Sequence, residues 1–134
     1  MTIKIGDTAS RVRTISGQDI DLFAQACGDT NPIHLDDAYA ATTPFGRRIA
    51  HGMLTASLVS AVLANDLPGA GTVYLGQDLK FKAPVFVDDT ITATVECIAY
   101  REDKRIATFK TTCTNQDAKV VLEGEAVVLA PKAE

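Results

Sequence analysis

Two short segments hold the residues of this chain that are best suited to move a proton. The first is Gly28-Asp29-Thr30-Asn31-Pro32-Ile33-His34 and the second is His51-Gly52-Met53, and together they contain both histidines of the chain. Asp29 and His34 place a carboxylate and an imidazole on one turn, and such a pair can act as general acid and base. Gly52 opens an apolar helix, whose N-terminus can stabilise a developing negative charge.

Helices in the first half of the chain must position these segments. Ser16 and Asp19 form a capping-box pattern, and apolar residues at helical spacing follow until Gly28, so a helix is predicted between Ser16 and Gly28. A strand is predicted over 8–15, and one helical turn over 36–41 in the otherwise irregular stretch 29–50. From Gly52 to about Asn65, apolar residues cover every face of a helix, which is typical of a buried helix.

The second half of the chain predicts four strands in succession. Segments 72–81, 90–100, 105–114 and 118–129 are rich in Val, Ile, Thr and aromatic residues. In segment 90–100, every second side chain points to the same face of the strand, and the residues on one face are Ile91, Ala93, Val95, Cys97 and Ala99. An antiparallel meander that curls around the buried helix satisfies both patterns. We therefore predict an α+β fold, a five-stranded antiparallel sheet wrapped around a central α-helix, as one domain over 1–134.

The composition narrows the class of protein. A formal net charge of -4 and a pI of about 5.1 argue against a general nucleic-acid binder. No apolar run reaches the roughly 18 residues of a membrane span, so no membrane segment is expected. Lys4 interrupts the first apolar stretch, so no signal peptide is expected. The protein is therefore predicted to be cytoplasmic. Cys27, Cys97 and Cys113 lie in apolar patterns without disulfide or metal-ligand spacing, which predicts core positions.

The motif Asp29-Thr30-Asn31-Pro32-Ile33-His34 resembles the Asp-x-Asn-Pro-[Ile/Leu]-His motif of the MaoC-like hydratases, which have the hot-dog fold. Further familial segments are Arg48-Ile49-Ala50-His51-Gly52-Met53-Leu54, Leu75-Gly76-Gln77-Asp78-Leu79-Lys80-Phe81, Pro84-Val85-Phe86-Val87-Asp88-Asp89, Arg101-Glu102-Asp103-Lys104 and Gly124-Glu125-Ala126-Val127. The likeness is greatest to the single-domain (R)-specific enoyl-CoA hydratases of bacterial polyhydroxyalkanoate metabolism. It implies reversible syn addition of water to a trans-2-enoyl-CoA, giving the (R)-3-hydroxyacyl-CoA.

The resemblance also implies roles for individual residues. Asp29 and His34 would hold the attacking water between them, and which of the two protonates C2 stays open. Gly52 would present a backbone N–H to the thioester oxygen, and His51 beside it is expected to be structural. Substrate contacts would come from Ser60, Leu63 and Val128, the last two lining an acyl tunnel. From its own chemistry, Asn31 is expected either to donate to the substrate or to orient the loop.

The expected partners follow from this chemistry. The chain has neither a glycine-rich phosphate loop nor a metal-ligand cluster, so no cofactor and no metal are expected, and coenzyme A enters as part of the substrate. Candidate contacts for its phosphates are Arg47, Arg48, Lys80, Lys82, Arg101, Lys104 and Arg105. One copy of the fold would leave a sheet edge and one side of the helix open, which predicts a homodimer.

Two other functions stay open at this stage. Hot-dog thioesterases place a catalytic carboxylate in or near the central helix, whereas 52–65 contains neither Asp nor Glu and the first acid is Asp66. A non-catalytic acyl-thioester-binding protein would not need Asp29 and His34 together. The sequence therefore favours a hydro-lyase, with an acyl-CoA thioesterase or an acyl-thioester-binding protein as the alternative.

Overall fold

Along residues 3–132, which a computed structural model describes, the chain forms one strand, four helices and then five further strands. The two residues at each end of the predicted 1–134 domain lie outside the described residues. The helices are α1 (Gly17–Cys27), α2 (Pro32–Leu35), α3 (Asp37–Ala41) and α4 (Gly52–Asn65). The strands are β1 (Thr8–Thr14), β2 (Val73–Gln77), β3 (Lys80–Phe81), β4 (Thr90–Arg101), β5 (Ile106–Thr114) and β6 (Val120–Leu129).

The strands form one antiparallel sheet around α4. Their order is β1-β4-β5-β6-β2, and β3 pairs with β6 beside the β2 position. Helix α4 packs mainly on β4, with further contacts to β1 and β5. The core between helix and sheet includes Val59, Val62, Ile91, Val95, Phe109 and Leu122, none of them measurably exposed. The predicted α+β arrangement, an antiparallel sheet wrapped around a buried helix, is confirmed.

The capping box predicted at the start of α1 is also confirmed. Ser16 Oγ accepts the Asp19 N–H at 3.0 Å, and Asp19 Oδ2 accepts the Ser16 N–H at 3.0 Å. The hydrogen bonds from Arg13 and from the Ser16 backbone lower the pKa of the Asp19 carboxyl. Gly28 ends the helix in the left-handed region, with φ of 83°. Asp29 follows Gly28 directly, so the end of α1 determines where Asp29 lies.

The predicted strand over 72–81 is interrupted, and the sheet of the described residues therefore has six strands rather than five. Between β2 and β3, the Asp78 N–H donates to the Glu125 carbonyl at 3.0 Å, and Asp78 Oδ1 accepts the Glu125 N–H at 3.2 Å. Gly124 allows this close crossing, because a Cβ there would lie 2.0 Å from the Asp78 carbonyl oxygen. The interruption thus depends on a glycine in another strand.

The alternation predicted in β4 holds as far as Cys97 and then fails. Ile91, Ala93, Val95 and Cys97 are fully buried, whereas Ala99 is exposed. The pairing with β5 shifts register between Cys97 and Ala99, and such a bulge changes the side of the sheet to which the following residues point. The predicted inward position of Ala99 is therefore wrong.

Among residues 3–132, no helix combines the length and the apolar character needed to cross a membrane.

Candidate active site

The segment that carries Asp29 and His34 is a turn followed by a short helix. Asp29 Oδ1 accepts the Asn31 N–H at 3.2 Å, and Asn31 Oδ1 accepts the Ile33 N–H at 3.2 Å, which caps α2. Pro32 occupies the start of α2, where its missing N–H costs nothing. The sequence predicted only the helical turn that became α3, because a four-residue helix is too short to show a periodic pattern.

Asp29 and His34 face each other across a narrow gap. Asp29 Oδ2 lies 4.0 Å from His34 Nε2, which is too long for a direct hydrogen bond and is a separation that one water molecule can bridge. His34 is only 9% exposed, whereas 52% of the Asp29 side chain is exposed. A solvent-facing carboxylate beside a sheltered imidazole can transfer protons through a shared water.

A backbone carbonyl determines which nitrogen of His34 faces Asp29. His34 Nδ1 lies 2.8 Å from the Ile49 carbonyl oxygen. Because a carbonyl only accepts, Nδ1 carries the hydrogen and Nε2 is the nitrogen that faces Asp29. Ile49 is itself fixed, since its N–H donates to the Ile33 carbonyl at 3.3 Å and it forms a β-bridge with Phe86.

Arg48 connects α2 to α1. Its Nε donates to the His34 carbonyl at 2.5 Å and its Nη2 donates to Asp21 Oδ1 at 2.8 Å. Only 12% of the Arg48 side chain is exposed. Arg48 was one of the seven candidate phosphate contacts, but its guanidinium instead holds the backbone of His34 in place. The sequence did not predict this role because His34 and Asp21 are distant from Arg48 in the chain.

His51 and Gly52 begin α4 beside the Asp29–His34 pair. The His51 ring stacks on the His34 ring with centroids 3.9 Å apart, and His51 Nε2 lies 2.9 Å from the Asp29 carbonyl oxygen. Gly52 is the first residue of α4, and the first N–H groups of a helix have no partner within it. A Cβ at Gly52 would lie 2.8 Å from Phe81 Cε1, so the glycine also makes room for this ring.

The site opens onto a cavity of about 810 Å³. Asp29, His34, His51 and Gly52 form its polar part, at the N-terminal end of α4. The apolar wall includes Phe23, Phe45, Met53, Phe81, Val85 and Val121. A mostly apolar cavity of this size with a few convergent polar groups is typical of a site for a small organic ligand. The structure therefore places Asp29, His34 and Gly52 around one cavity.

The four predicted substrate contacts lie outside the cavity lining. Leu63 and Val128 are core residues, 1% and 0% exposed, and Ser60 is half-buried further along α4. Asn31 caps α2 through its side-chain oxygen and does not line the cavity. The acyl tunnel assigned to Leu63 and Val128 rests on the resemblance alone and stays a prediction.

Of the seven candidate phosphate contacts, which all lie within residues 3–132, Lys82 lines the cavity and the other six do not. Half of the Lys82 side chain is exposed, and its Nζ lies 3.4 Å from Glu123 Oε1. Arg47 instead lies over the Phe86 ring, 4.5 Å from its centroid, and 3.9 Å from the buried Asp89 carboxylate. Lys82 is therefore the cation placed to meet an anionic part of a ligand in this cavity.

The three cysteines are free but differ in exposure. Cys97 and Cys113 are buried, as predicted, and burial raises the pKa of Cys97 and raises that of Cys113 to about 12. Cys27 is exposed and lines the cavity, so its predicted core position is wrong. Cys27 is the last residue of α1, and it borders the cavity.

Asp29, His34 and His51 each offer a metal-ligand atom, and these atoms all lie within 4.8 Å of one another. One carboxylate and two imidazoles form a donor set that suits several transition metals. However, His34 Nδ1 and His51 Nε2 already pair with backbone carbonyls, which uses one nitrogen of each ring. The absence of a metal requirement stays a prediction.

Known proteins resemble this chain in both sequence and structure. The family described as MaoC like domain matches residues 4–120. An (R)-specific enoyl-CoA hydratase of Rhodospirillum rubrum is 54% identical over 129 residues, which cover 96% of this chain and 89% of that protein. A 3-hydroxybutyryl-CoA dehydratase of Methylorubrum extorquens is 47% identical over 132 residues, covering 98% of this chain and 83% of that protein. The solved (R)-hydratase of Aeromonas caviae matches with a TM-score of 0.95 and 48% identity, over 97% of this chain and 98% of that one. The chain therefore belongs to the MaoC-like domain family.

Proposed function

We propose that this protein is an (R)-specific enoyl-CoA hydratase, a hydro-lyase that reversibly adds water to a trans-2-enoyl-CoA. The observation that carries the proposal is the Asp29–His34 pair, 4.0 Å apart at the polar end of an apolar cavity. Relatives named as a hydratase and as a dehydratase, at 54% and 47% identity, support the same chemistry in both directions.

The reaction requires three contributions from the protein. Water must lose a proton as its oxygen bonds to C3, C2 must gain a proton, and the thioester oxygen carries negative charge between these events. The site therefore needs a base, an acid and a stabiliser of an oxyanion, all directed at one bound substrate.

The Asp29–His34 pair supplies the proton transfers. A water held between Asp29 Oδ2 and His34 Nε2 gives one proton to the pair as its oxygen bonds to C3, and the pair gives one proton to C2. Because both groups lie on the same side of the cavity, oxygen and proton reach the same face of the double bond, which is syn addition.

The start of α4 supplies the oxyanion stabiliser. The Gly52 N–H and the partial positive charge of the helix N-terminus are suited to the developing thioester enolate. The apolar wall accepts the acyl chain, and we assign Lys82 to a phosphate of coenzyme A. Helix α4 contains no carboxylate over Gly52–Asn65, which distinguishes this site from a thioesterase with a helix acid.

Crotonyl-CoA tests the proposal, with trans-2-hexenoyl-CoA and trans-2-octenoyl-CoA assayed in parallel. The purified protein should remove the absorbance of the conjugated enoyl thioester without releasing thiol, and chiral analysis should identify the (R)-3-hydroxyacyl product. Thiol release would indicate a thioesterase. Binding of all three substrates without turnover would indicate an acyl-thioester-binding protein, and either result would contradict the proposal.

We also propose that the enzyme is a homodimer. Strand β2 lies at the edge of the sheet, and Val73 and Leu75 on it are 51% and 53% exposed. Phe81 on β3 is 53% exposed beside the cavity. An open edge that carries apolar side chains favours association with a second copy. Sedimentation equilibrium should give twice the 14.3 kDa of the chain, and an active monomer would contradict this proposal.

We further propose that the enzyme requires neither a cofactor nor a metal and that it is cytoplasmic. Hydration involves no redox change, so the reaction needs no redox cofactor. Dialysis against EDTA should leave the hydration rate unchanged, whereas a loss of rate that zinc restores would contradict the proposal. The three free thiols support a reducing compartment, which cell fractionation would test. Binding to nucleic acid or membrane is not expected.

A further inference from the structure

We infer that His51 is a positioning residue that holds both Asp29 and His34 in place. The inference deepens the proposed function, and its kinetic test rests on that function. Its geometric part, the tautomer of the His51 ring, is independent of any substrate.

The first observation is the contact with Asp29. His51 Nε2 lies 2.9 Å from the Asp29 carbonyl oxygen. The other hydrogen bonds of Asp29 in the described structure stay close to its own turn, with the Asn31 N–H at 3.2 Å and Cys27 Sγ at 3.4 Å. His51 therefore connects the turn that carries the carboxylate to the rigid start of α4.

The second observation is the stacking of the ring. The His51 and His34 rings are 3.9 Å apart between centroids with 26° between their planes. The Phe23 ring lies 5.0 Å away at 55°. His51 is only 3% exposed. Packed between Phe23 and His34, the His51 ring has little freedom to turn, and it limits the movement of His34 as well.

The third observation determines the tautomer of the His51 ring. Because the Asp29 carbonyl only accepts, His51 Nε2 carries the hydrogen. His51 Nδ1 is buried and pairs with no group among residues 3–132. Hydrogen on Nδ1 in place of Nε2 would leave a buried N–H without an acceptor and the Asp29 carbonyl without this donor, which is unfavourable. Of the two rings, His34 is the one whose free nitrogen faces a carboxylate.

Nitrogen-15 NMR of the imidazoles tests the geometric part directly. The full chain has two histidines, and a His51→Gln variant assigns their signals. His51 should carry its hydrogen on Nε2. Hydrogen on Nδ1 would overturn the inference. This measurement decides the inference even if the protein does not hydrate enoyl-CoA.

Two substitutions test the positioning role in the proposed reaction. His51→Phe keeps an aromatic ring but loses the donor to Asp29, whereas His51→Gln keeps a donor but loses the ring. For crotonyl-CoA, His51→Phe should lower kcat by about 10- to 100-fold with KM almost unchanged, because the reacting groups lose their alignment. His51→Gln should recover part of the loss.

The outcomes separate the inference from the proposed function. A kcat close to the wild-type value in both variants would overturn the positioning role, as would a change confined to KM. A wild-type protein that does not hydrate any enoyl-CoA would contradict the proposed function and leave the NMR result to decide the inference. If His51→Phe does not fold, His51→Gln and the NMR spectrum of the wild-type protein still decide it.

Discussion

The first turn of α4 borders the cavity, whereas further along the same helix one face is buried against the sheet. Gly52 and Met53 are exposed and line the cavity, while Val59, Val62 and Leu63 are at most 1% exposed. The sequence of the helix is mostly apolar and contains no charged residue. Its N-terminus can nevertheless serve a polar reaction, because the groups it offers there are backbone N–H groups. The side chains proposed for proton transfer come from other elements.

The two regions also differ in how well their buried polar groups are paired. Among residues 3–132, two buried side-chain atoms lack a hydrogen-bond partner, His51 Nδ1 and Thr55 Oγ1, and both residues line the cavity. In the middle of the fold, the buried Thr111 hydroxyl donates to the Gly124 carbonyl at 3.0 Å. Unpaired buried polar groups are costly and rare in native proteins, and here they coincide with the candidate site.

The largest expected effect on activity is at the cavity end. His34→Gln retains a donor for the Ile49 carbonyl but cannot exchange a proton, so the rate of crotonyl-CoA hydration should fall by ~10² to 10⁴. The matched control is Ser57→Ala on the exposed side of α4, where the hydroxyl only donates to the Leu54 carbonyl. Steady-state kinetics of both variants provides the measurement, and equal rates would remove His34 from the mechanism.

Leu63→Ala tests whether the enclosed part of the helix is separate from the site. Leu63 is 1% exposed in the core, so its truncation should lower the free energy of unfolding by about 2–5 kcal/mol, measured by urea denaturation. If the acyl chain reaches Leu63, as the resemblance implies, the variant should also prefer longer enoyl-CoA substrates. An unchanged chain-length profile would confine the acyl chain to the cavity end.

Lys82→Gln should have a smaller effect, limited to substrate binding. An exposed charge contact contributes less than ~1 kcal/mol, so KM for crotonyl-CoA should rise about two- to fivefold with kcat unchanged. The KM for a crotonyl thioester of pantetheine, which lacks the nucleotide, should not change. Lys80→Gln is the control, because Lys80 is exposed but does not line the cavity. Equal changes for both thioesters would contradict the phosphate contact.

Thiol labelling should distinguish the two regions without altering the protein. Thiolate is the reactive form, and burial raises the pKa of Cys113 to about 12 and raises that of Cys97, so both stay protonated and covered up to mildly alkaline pH. Native protein should therefore react with an aromatic disulfide reagent at Cys27 alone. Denaturation should expose all three. Rapid labelling of Cys113 in native protein would contradict the enclosed core.

Features that depend on neighbours in the sequence could be predicted. Ser16, Asp19 and Gly28 determine α1 through local capping, and the apolar run after Gly52 determines α4. The candidate site residues Asp29, His34 and Gly52 were found because they lie in two short segments of unusual composition.

Features that depend on contacts between distant segments could not be predicted. The interruption between β2 and β3 requires Gly124 opposite Asp78, and the register shift in β4 involves its pairing with β5. The contact of Arg48 with the His34 carbonyl and the stacking of His51 on His34 likewise join separate elements. In each case the sequence contains both residues but does not show that they are in contact.

The most direct test of the account compares the wild-type protein with Asp29→Asn. The substitution keeps the size of the side chain and an oxygen for the Asn31 N–H, but the amide cannot accept the proton of water. Loss of crotonyl-CoA absorbance should be rapid with the wild-type protein and nearly absent with the variant, at an unchanged thermal unfolding midpoint. Hydration by Asp29→Asn at close to the wild-type rate would contradict the claim that the Asp29–His34 pair performs the proton transfers.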